Sequence, residues 1–318
     1  MTTAQTKPRA LRPGGLVGLV GPSGAIRNPG QTPDALAAKV EGLGFCARLG
    51  ESVGQRYGYL SGTDEVRARD INRMFADPAV DAVYCVRGGY GTPRLLDMLD
   101  WDALRANPKP FIGYSDITAM HAAIHTLCGY PTLHGPMPCS DSLDEESGAV
   151  SRQSLLAALT RTQPLGALQT PPDCPPPVCL NPGVAEGTLV GGNLTLVTAL
   201  LGTPYALDTR GKILFLEDIG EHTYALDRML TQLRLSGALN ACAGIALGQF
   251  TDCTIEYPDF GLTVDEVIRD MLLPCGKPVL AGLQIGHCTP TLSLPLGVAC
   301  RLDATAGTLT LLQAPWRA

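Results

Sequence analysis

The stretch Phe111-Ile112-Gly113-Tyr114-Ser115-Asp116-Ile117-Thr118-Ala119-Met120 holds an apolar run, a polar corner and the start of a helical pattern that continues through Ile124 and Leu127. The order is strand, sharp turn, helix, with a serine at the corner. A hydroxyl placed there can stand clear of the backbone at the carboxyl end of a strand. The next N–H then points from a helix N-terminus, where partial positive charge favours a developing anion. Serine and aspartate are also common helix N-caps, so the same corner can be purely structural. Both roles remain open on this pattern.

Working outward, the order repeats. Leu16–Val20 reads as a strand followed by the turn Gly21-Pro22-Ser23-Gly24. Glycines at 18, 21 and 24 do not make the dinucleotide fingerprint. Thr32 caps a helix that opens on Pro33 and runs to about Leu43, before a strand at Phe45–Leu49. Thr63 caps the next helix, and Asp81–Val86 is a strand running into Arg87-Gly88-Gly89-Tyr90-Gly91. Thr92-Pro93 starts a helix carrying Leu95, Leu96 and Leu99. Strands alternating with helices predict an α/β fold with a doubly wound, mostly parallel sheet. Its working site lies beyond the carboxyl ends of the strands, where both the Arg87–Gly91 loop and Ser115 fall.

One more short strand at Thr132-Leu133-His134 and a helix at Ala149–Thr160 precede a change of character. Pro164, Pro171, Pro172, Pro175, Pro176, Pro177 and Pro182 exclude a helix or central strand, so an extended linker is expected. This divides the chain into residues 1–145, a helix and linker over 146–184, and a second domain over 185–318. In that second part, strands are expected at Glu186–Val190, Lys212–Leu216, Ala243–Leu247 and Pro278–Leu283, with helices from Leu194, Thr223 and the capping box Thr263-Val264-Asp265-Glu266. Two or three short strands fill Thr291–Leu312.

A net charge of −6 with no basic block argues against nucleic acid as a partner. No apolar run approaches the ~18 residues that span a membrane. Eleven cysteines without Cys-x-x-Cys spacing, behind an opening Met1–Pro8 that lacks a signal-peptide core, predict reduced thiols in a cytoplasmic protein.

Ser115, Glu217 and His287 each follow a short apolar strand. Serine needs a base to remove its proton, histidine is the usual base near neutral pH, and a carboxylate orients the imidazole. A serine triad is therefore coherent, although Ile117 stands where the α/β-hydrolase elbow has its second glycine. His121 and His125 share a helix face as zinc ligands do, but no glutamate lies between them. His134 and His222 lack Cys or His neighbours. Cys174, Cys179 and Cys288 occupy no strand-to-helix corner. Asp218 and Glu221 could pair with Glu217 as an acid and base, or serve a helix N-terminus.

Arg87-Gly88-Gly89-Tyr90-Gly91, Phe111–Asp116, His134-Gly135-Pro136-Met137, Gly191-Gly192-Asn193-Leu194, Leu216-Glu217-Asp218, Gly286-His287 and Leu294-Pro295-Leu296-Gly297 together resemble the LD-carboxypeptidase family of serine peptidases. The resemblance runs in order from about Leu16 to Leu312. It implies a flavodoxin-like N-terminal domain, a smaller C-terminal α/β domain with a β-rich part, and a site between them. It further implies Ser115 as nucleophile, His287 as base and acid, Glu217 as its orienting carboxylate, and an oxyanion hole from the N–H groups of Asp116 and of Gly88 or Gly89, with Gly88 preferred. The implied enzyme is a cytoplasmic homodimer without a metal or other cofactor. It releases the terminal D-alanine of a murein tetrapeptide during cell-wall recycling. Arg87, Arg94 and Arg228 are candidates to meet the substrate's terminal carboxylate. A microcin C self-immunity peptidase is the rival within the family; those members carry an aromatic-bearing loop that stacks on the nucleotide base. The corresponding segment here, Thr251–Leu262, has Tyr257 and Phe260 but no tryptophan. A non-catalytic ligand-binding protein is the rival outside it.

Overall fold

The computed structural model describes residues 7–144, 148–256 and 259–318. In chain order the first half gives β1 (Leu16–Val20), α1 (Pro33–Gly42), β2 (Cys46–Leu49), α2 (Asp64–Ala76), β3 (Ala82–Cys85), α3 (Trp101–Ala106), β4 (Phe111–Gly113), α4 (Thr118–Ala123) and β5 (Thr132–His134). The second half gives α5 (Ala149–Thr160), β6 (Gly166–Ala167), β7 (Val178–Asn181), β8 (Val184–Asn193), α6 (Leu194–Ala199), β9 (Ile213–Ile219), α7 (Thr223–Leu235), α8 (Ala238–Ala241), β10 (Gly244–Thr251), α9 (Val264–Leu272), β11 (Val279–Ala281), β12 (Leu294–Leu296), β13 (Ala299–Asp303) and β14 (Thr308–Leu311).

Six strands form the first sheet in the order β12-β5-β4-β3-β1-β2. Strands β1 to β5 are parallel and run in the flavodoxin-like order, each step a right-handed crossover in such folds. The inner strands β1, β3 and β4 are almost wholly buried, as expected of a covered parallel sheet, whereas the edge strand β2 is largely exposed. The eight-stranded second sheet runs β6-β14-β13-β8-β9-β10-β11-β7, with β8 to β11 parallel and an antiparallel β-rich flank. Its alternation divides two cores. Leu214, Leu216, Ile245 and Leu247 face α7 and α9, while Ile213, Phe215 and Ala246 face the β12–β14 side.

The halves are stitched together. Strand β12 leaves the second half to pair antiparallel with β5. Helix α5 and Trp316 pack into the first core, and Trp316 Nε1 donates to the Ala158 carbonyl at 2.6 Å.

Several local expectations need correction. The proline-rich segment is not bare linker: β6 and β7 form the two edges of the second sheet, where a missing N–H costs nothing. The helix from Thr92 breaks after one tight turn, Thr92–Leu95, and resumes as α3. Thr63 occupies the N-cap position of α2 without a side-chain cap bond, whereas Thr32 and the Thr263–Glu266 box do cap α1 and α9. All eleven cysteines are unpaired.

Candidate active site

Ser115 lies just past β4 with φ +65°, a left-handed conformation that a non-glycine residue adopts only when its surroundings enforce it. No side chain caps the turn Ser115–Ile117 that opens here, so the serine is not a helix cap. What holds the corner is Asp116. Its buried Oδ2 accepts from Ser23 Oγ at 2.6 Å and from the Thr92 N–H at 2.8 Å, tying the loops after β1 and β3 to the turn. Gly88 closes the third side. A Cβ added there would stand 3.0 Å from Ser115 Cβ and 3.2 Å from its Oγ, so only a bare backbone passes this close.

Glu217 is buried inside β9 rather than beyond its end, because the strand continues to Ile219. Its Oε2 lies 2.7 Å from Nδ1 of His287. A carboxylate accepts only, so the imidazole proton sits on Nδ1 and leaves Nε2 as the basic atom. His287 stands in a loop several residues past β11. Thr251 Oγ1 donates to its carbonyl at 2.5 Å, and the Gly286 N–H donates to Thr291 Oγ1 at 3.2 Å. Gly286 has φ +109°, and a Cβ there would come within 2.6 Å of Glu217 Oε2, so a side chain would disturb the bond between Glu217 and His287.

Ser115 and His287, from opposite halves of the chain, line one cavity of about 670 Å³ together with Arg27, Arg87, Gly88 and Tyr114. The Tyr114 ring lies 4.7 Å from the His287 ring, centroid to centroid. No hydrogen bond joins Ser115 to His287 among the described residues, as is common before substrate tightens such contacts. The arrangement offers a strained hydroxyl, a carboxylate-backed imidazole and a backbone glycine converging on one space.

Residues 17–135 match the family model described as the LD-carboxypeptidase N-terminal domain, and residues 186–302 match the LD-carboxypeptidase C-terminal domain. The chain belongs to the LD-carboxypeptidase family. It is 39% identical to the "Probable murein peptide carboxypeptidase" of Bacillus subtilis (strain 168), over 96% of this chain and 94% of that one. The structure of the muramoyltetrapeptide carboxypeptidase from Oxalobacter formigenes matches with a TM-score of 0.80 at 30% identity, covering 95% and 100% of the two chains. The microcin C7 self-immunity protein MccF superposes with a TM-score of 0.86 at 26% identity, covering 98% and 99%.

The other expected site residues fall into place or away from it. Arg94 is paired with Asp64 at 2.6 Å, and Arg228 lies over the Tyr224 ring, so of the three arginines named for carboxylate recognition Arg87 alone lines the cavity. Asp218 does not pair with Glu217 as an acid and base. It accepts from Asn193 Nδ2 and from the Thr195 N–H and Oγ1 at the start of α6, and burial raises its pKa. His121 is buried with Nε2 2.8 Å from the Gly113 carbonyl oxygen, and burial lowers its pKa to about 4. His125 is likewise lowered to about 4, chiefly by burial. Among the described residues no three His, Cys, Asp or Glu side chains gather as a metal site. Cys139 and Cys288 line the cavity, but burial pushes both thiols up to about 11, which keeps them protonated near neutral pH. His222 stacks on Tyr224. Tyr257 lies outside the described residues.

Sequence reading missed Arg27, which sits in a loop with no periodic pattern. His134, set aside in the sequence for want of Cys or His neighbours, is a buried ring that packs edge-on between Tyr114 and Phe215. No helix of the described chain is long and apolar enough to cross a membrane.

Proposed function

We propose that this member of the LD-carboxypeptidase family is a serine peptidase that removes the terminal D-alanine from murein tetrapeptides, using Ser115, His287 and Glu217. The observation that carries the reading is the left-handed Ser115 facing the same cavity as an imidazole whose Nδ1 is held 2.7 Å from a buried carboxylate. Ser115 Oγ attacks the carbonyl carbon that follows the L-centre of the diamino acid and passes its proton to His287 Nε2. The carbonyl electrons move onto oxygen, which the N–H groups of Asp116 and Gly88 receive. Collapse expels the D-alanine nitrogen, which takes the proton from His287. Water then repeats the sequence on the acyl-serine and frees the tripeptide. Glu217 holds the imidazole in the productive tautomer and stabilises the transient imidazolium. The same reading carries a cytoplasmic homodimer with no metal.

Support for a murein substrate comes from the names of relatives at 39% and 35% identity, against 30% for the self-immunity protein. A second reading, cleavage of a peptidyl or aminoacyl nucleotide, is favoured by the closer superposition on MccF, a protein also solved with aspartyl sulfamoyl adenosine. Incubation with murein tetrapeptides, with and without the disaccharide, and with aspartyl sulfamoyl adenosine separates the readings by mass spectrometry of the products. The murein reading expects free D-alanine in the presence of chelator and none from Ser115→Ala. Release of aspartate alone would establish the second reading, and no turnover of either would favour a non-catalytic binder.

A further inference from the structure

The cavity holds two cations that the triad does not use. Arg27 and Arg87 both line it. Arg87 is half-buried, and its Nη1 donates to the Ala25 carbonyl at 2.9 Å. The guanidinium lies close over Gly24, where a Cβ would clash with Nη1, so the bare glycine leaves room for it. Among the described residues neither guanidinium is paired with a carboxylate. Asp141 is the single carboxylate among the described lining residues, and it does not figure among the groups acting on Arg87. Burial lowers the Arg87 pKa, and the neighbouring charge of Arg27 lowers it further. Two like charges, one of them half desolvated, thus face one cavity, and neither is paired with a carboxylate among the described residues, an arrangement that an incoming anion relieves.

Position narrows the identity of that anion. Arg87 directly precedes Gly88, whose backbone abuts Ser115. In a peptide cut at its last bond, the terminal carboxylate sits one carbon beyond the scissile nitrogen. A group that reads it must therefore stand beside the nucleophile, as Arg87 does. We propose that Arg87 and Arg27 together receive the carboxylate of the C-terminal residue being removed, Arg87 as the fixed donor and Arg27 at the cavity rim. The inference rests on the carboxypeptidase reading above. It explains how a chain with this site restricts itself to terminal bonds: a substrate lacking the carboxylate leaves both cations unpaired.

The test compares a murein tetrapeptide ending in D-alanine with the same peptide ending in D-alaninamide, in wild type, Arg27→Ala and Arg87→Lys. Wild type is expected to prefer the acid. Each variant should lose about tenfold to a hundredfold in kcat/KM on the acid, mainly through KM, with little change on the amide. The acid-to-amide ratio thus collapses, which a merely structural role would not produce. Arg27→Ala removes an exposed side chain and guards against misfolding in the Arg87 variant. Equal losses on both substrates, or no loss on either, would overturn the assignment while leaving the carboxypeptidase reading intact. Failure of wild type to release D-alanine or D-alaninamide would overturn both.

Discussion

The two halves of the molecule hold their parts of the site by different means. In the N-terminal half, Ser115 is placed by backbone: a parallel sheet delivers it, a left-handed φ presents it, and the buried Asp116 carboxylate draws two neighbouring loops around the corner. Such a conformation costs on the order of 1–3 kcal/mol and persists because its surroundings over-determine it. In the C-terminal half, His287 stands on irregular chain, and side-chain bonds to Glu217 and from Thr251 set its direction. The proposed nucleophile is thus rigid by construction, and the proposed base is rigid by hydrogen bonding. Substitutions should separate these two kinds of order.

The largest effect should follow removal of the carboxylate charge. Glu217→Gln keeps the shape but can present an amide N–H toward Nδ1, favouring the wrong tautomer, so kcat for D-alanine release should fall about 10⁴-fold. The melting temperature should move little, since the buried Oε1 already lacks a partner among the described residues. Equal losses of activity and stability would show that the base is not held by this bond. On the other side of the cavity, Gly88→Ala puts a methyl about 3 Å from Ser115 Cβ, and Gly88 needs no left-handed φ. The Gly88 N–H survives the substitution, so the loss comes from the methyl displacing Ser115 or the Gly88 backbone. We expect kcat to drop by up to about 10²–10³-fold, the cost of an oxyanion donor moved out of reach. An unchanged kcat would show that the corner tolerates a methyl beside Ser115 and that the close approach of Gly88 is not required.

A smaller effect concerns stability against pH. His121 and His125 titrate near 4 instead of 6.5, and burial depresses His134 as well; all three lie in the N-terminal half. The unfolded chain binds these protons where the folded chain refuses them. Their contribution is complete above pH about 6.5 and is lost as pH falls toward 4. Thermal melts should show Tm decreasing through that window, with signals from the N-terminal half leading. A Tm independent of pH between 6.5 and 4 would contradict the burial of these rings.

Much of this contrast was legible in the sequence, for local reasons. Ser115 sits at a strand-to-helix corner that ten residues define, and the alternation around it specifies a parallel sheet. Glu217 and His287 are visible as polar residues ending apolar runs, although Glu217 turned out to be within β9. What stayed hidden depends on contacts between distant segments. Leu294-Pro295-Leu296 pairs with β5 across the whole second half, a union no local pattern announces. Arg27 joins Arg87 through folding of the loop after β1, and His134 reaches the back of Tyr114 only once β4 and β5 pair. The helix from Thr92 ends after the single turn Thr92–Leu95, a break that the apolar spacing of Leu95, Leu96 and Leu99 does not announce.

The central claim is that Ser115 and His287 work as one unit across the two halves. A cycle of Ser115→Ala, His287→Ala and the double variant, read as D-alanine released from a murein tetrapeptide, tests it most directly. Each single variant should fall to the same residual rate as the double, because either loss disables the unit. Retained activity in Ser115→Ala, or single losses that multiply in the double variant, would contradict it.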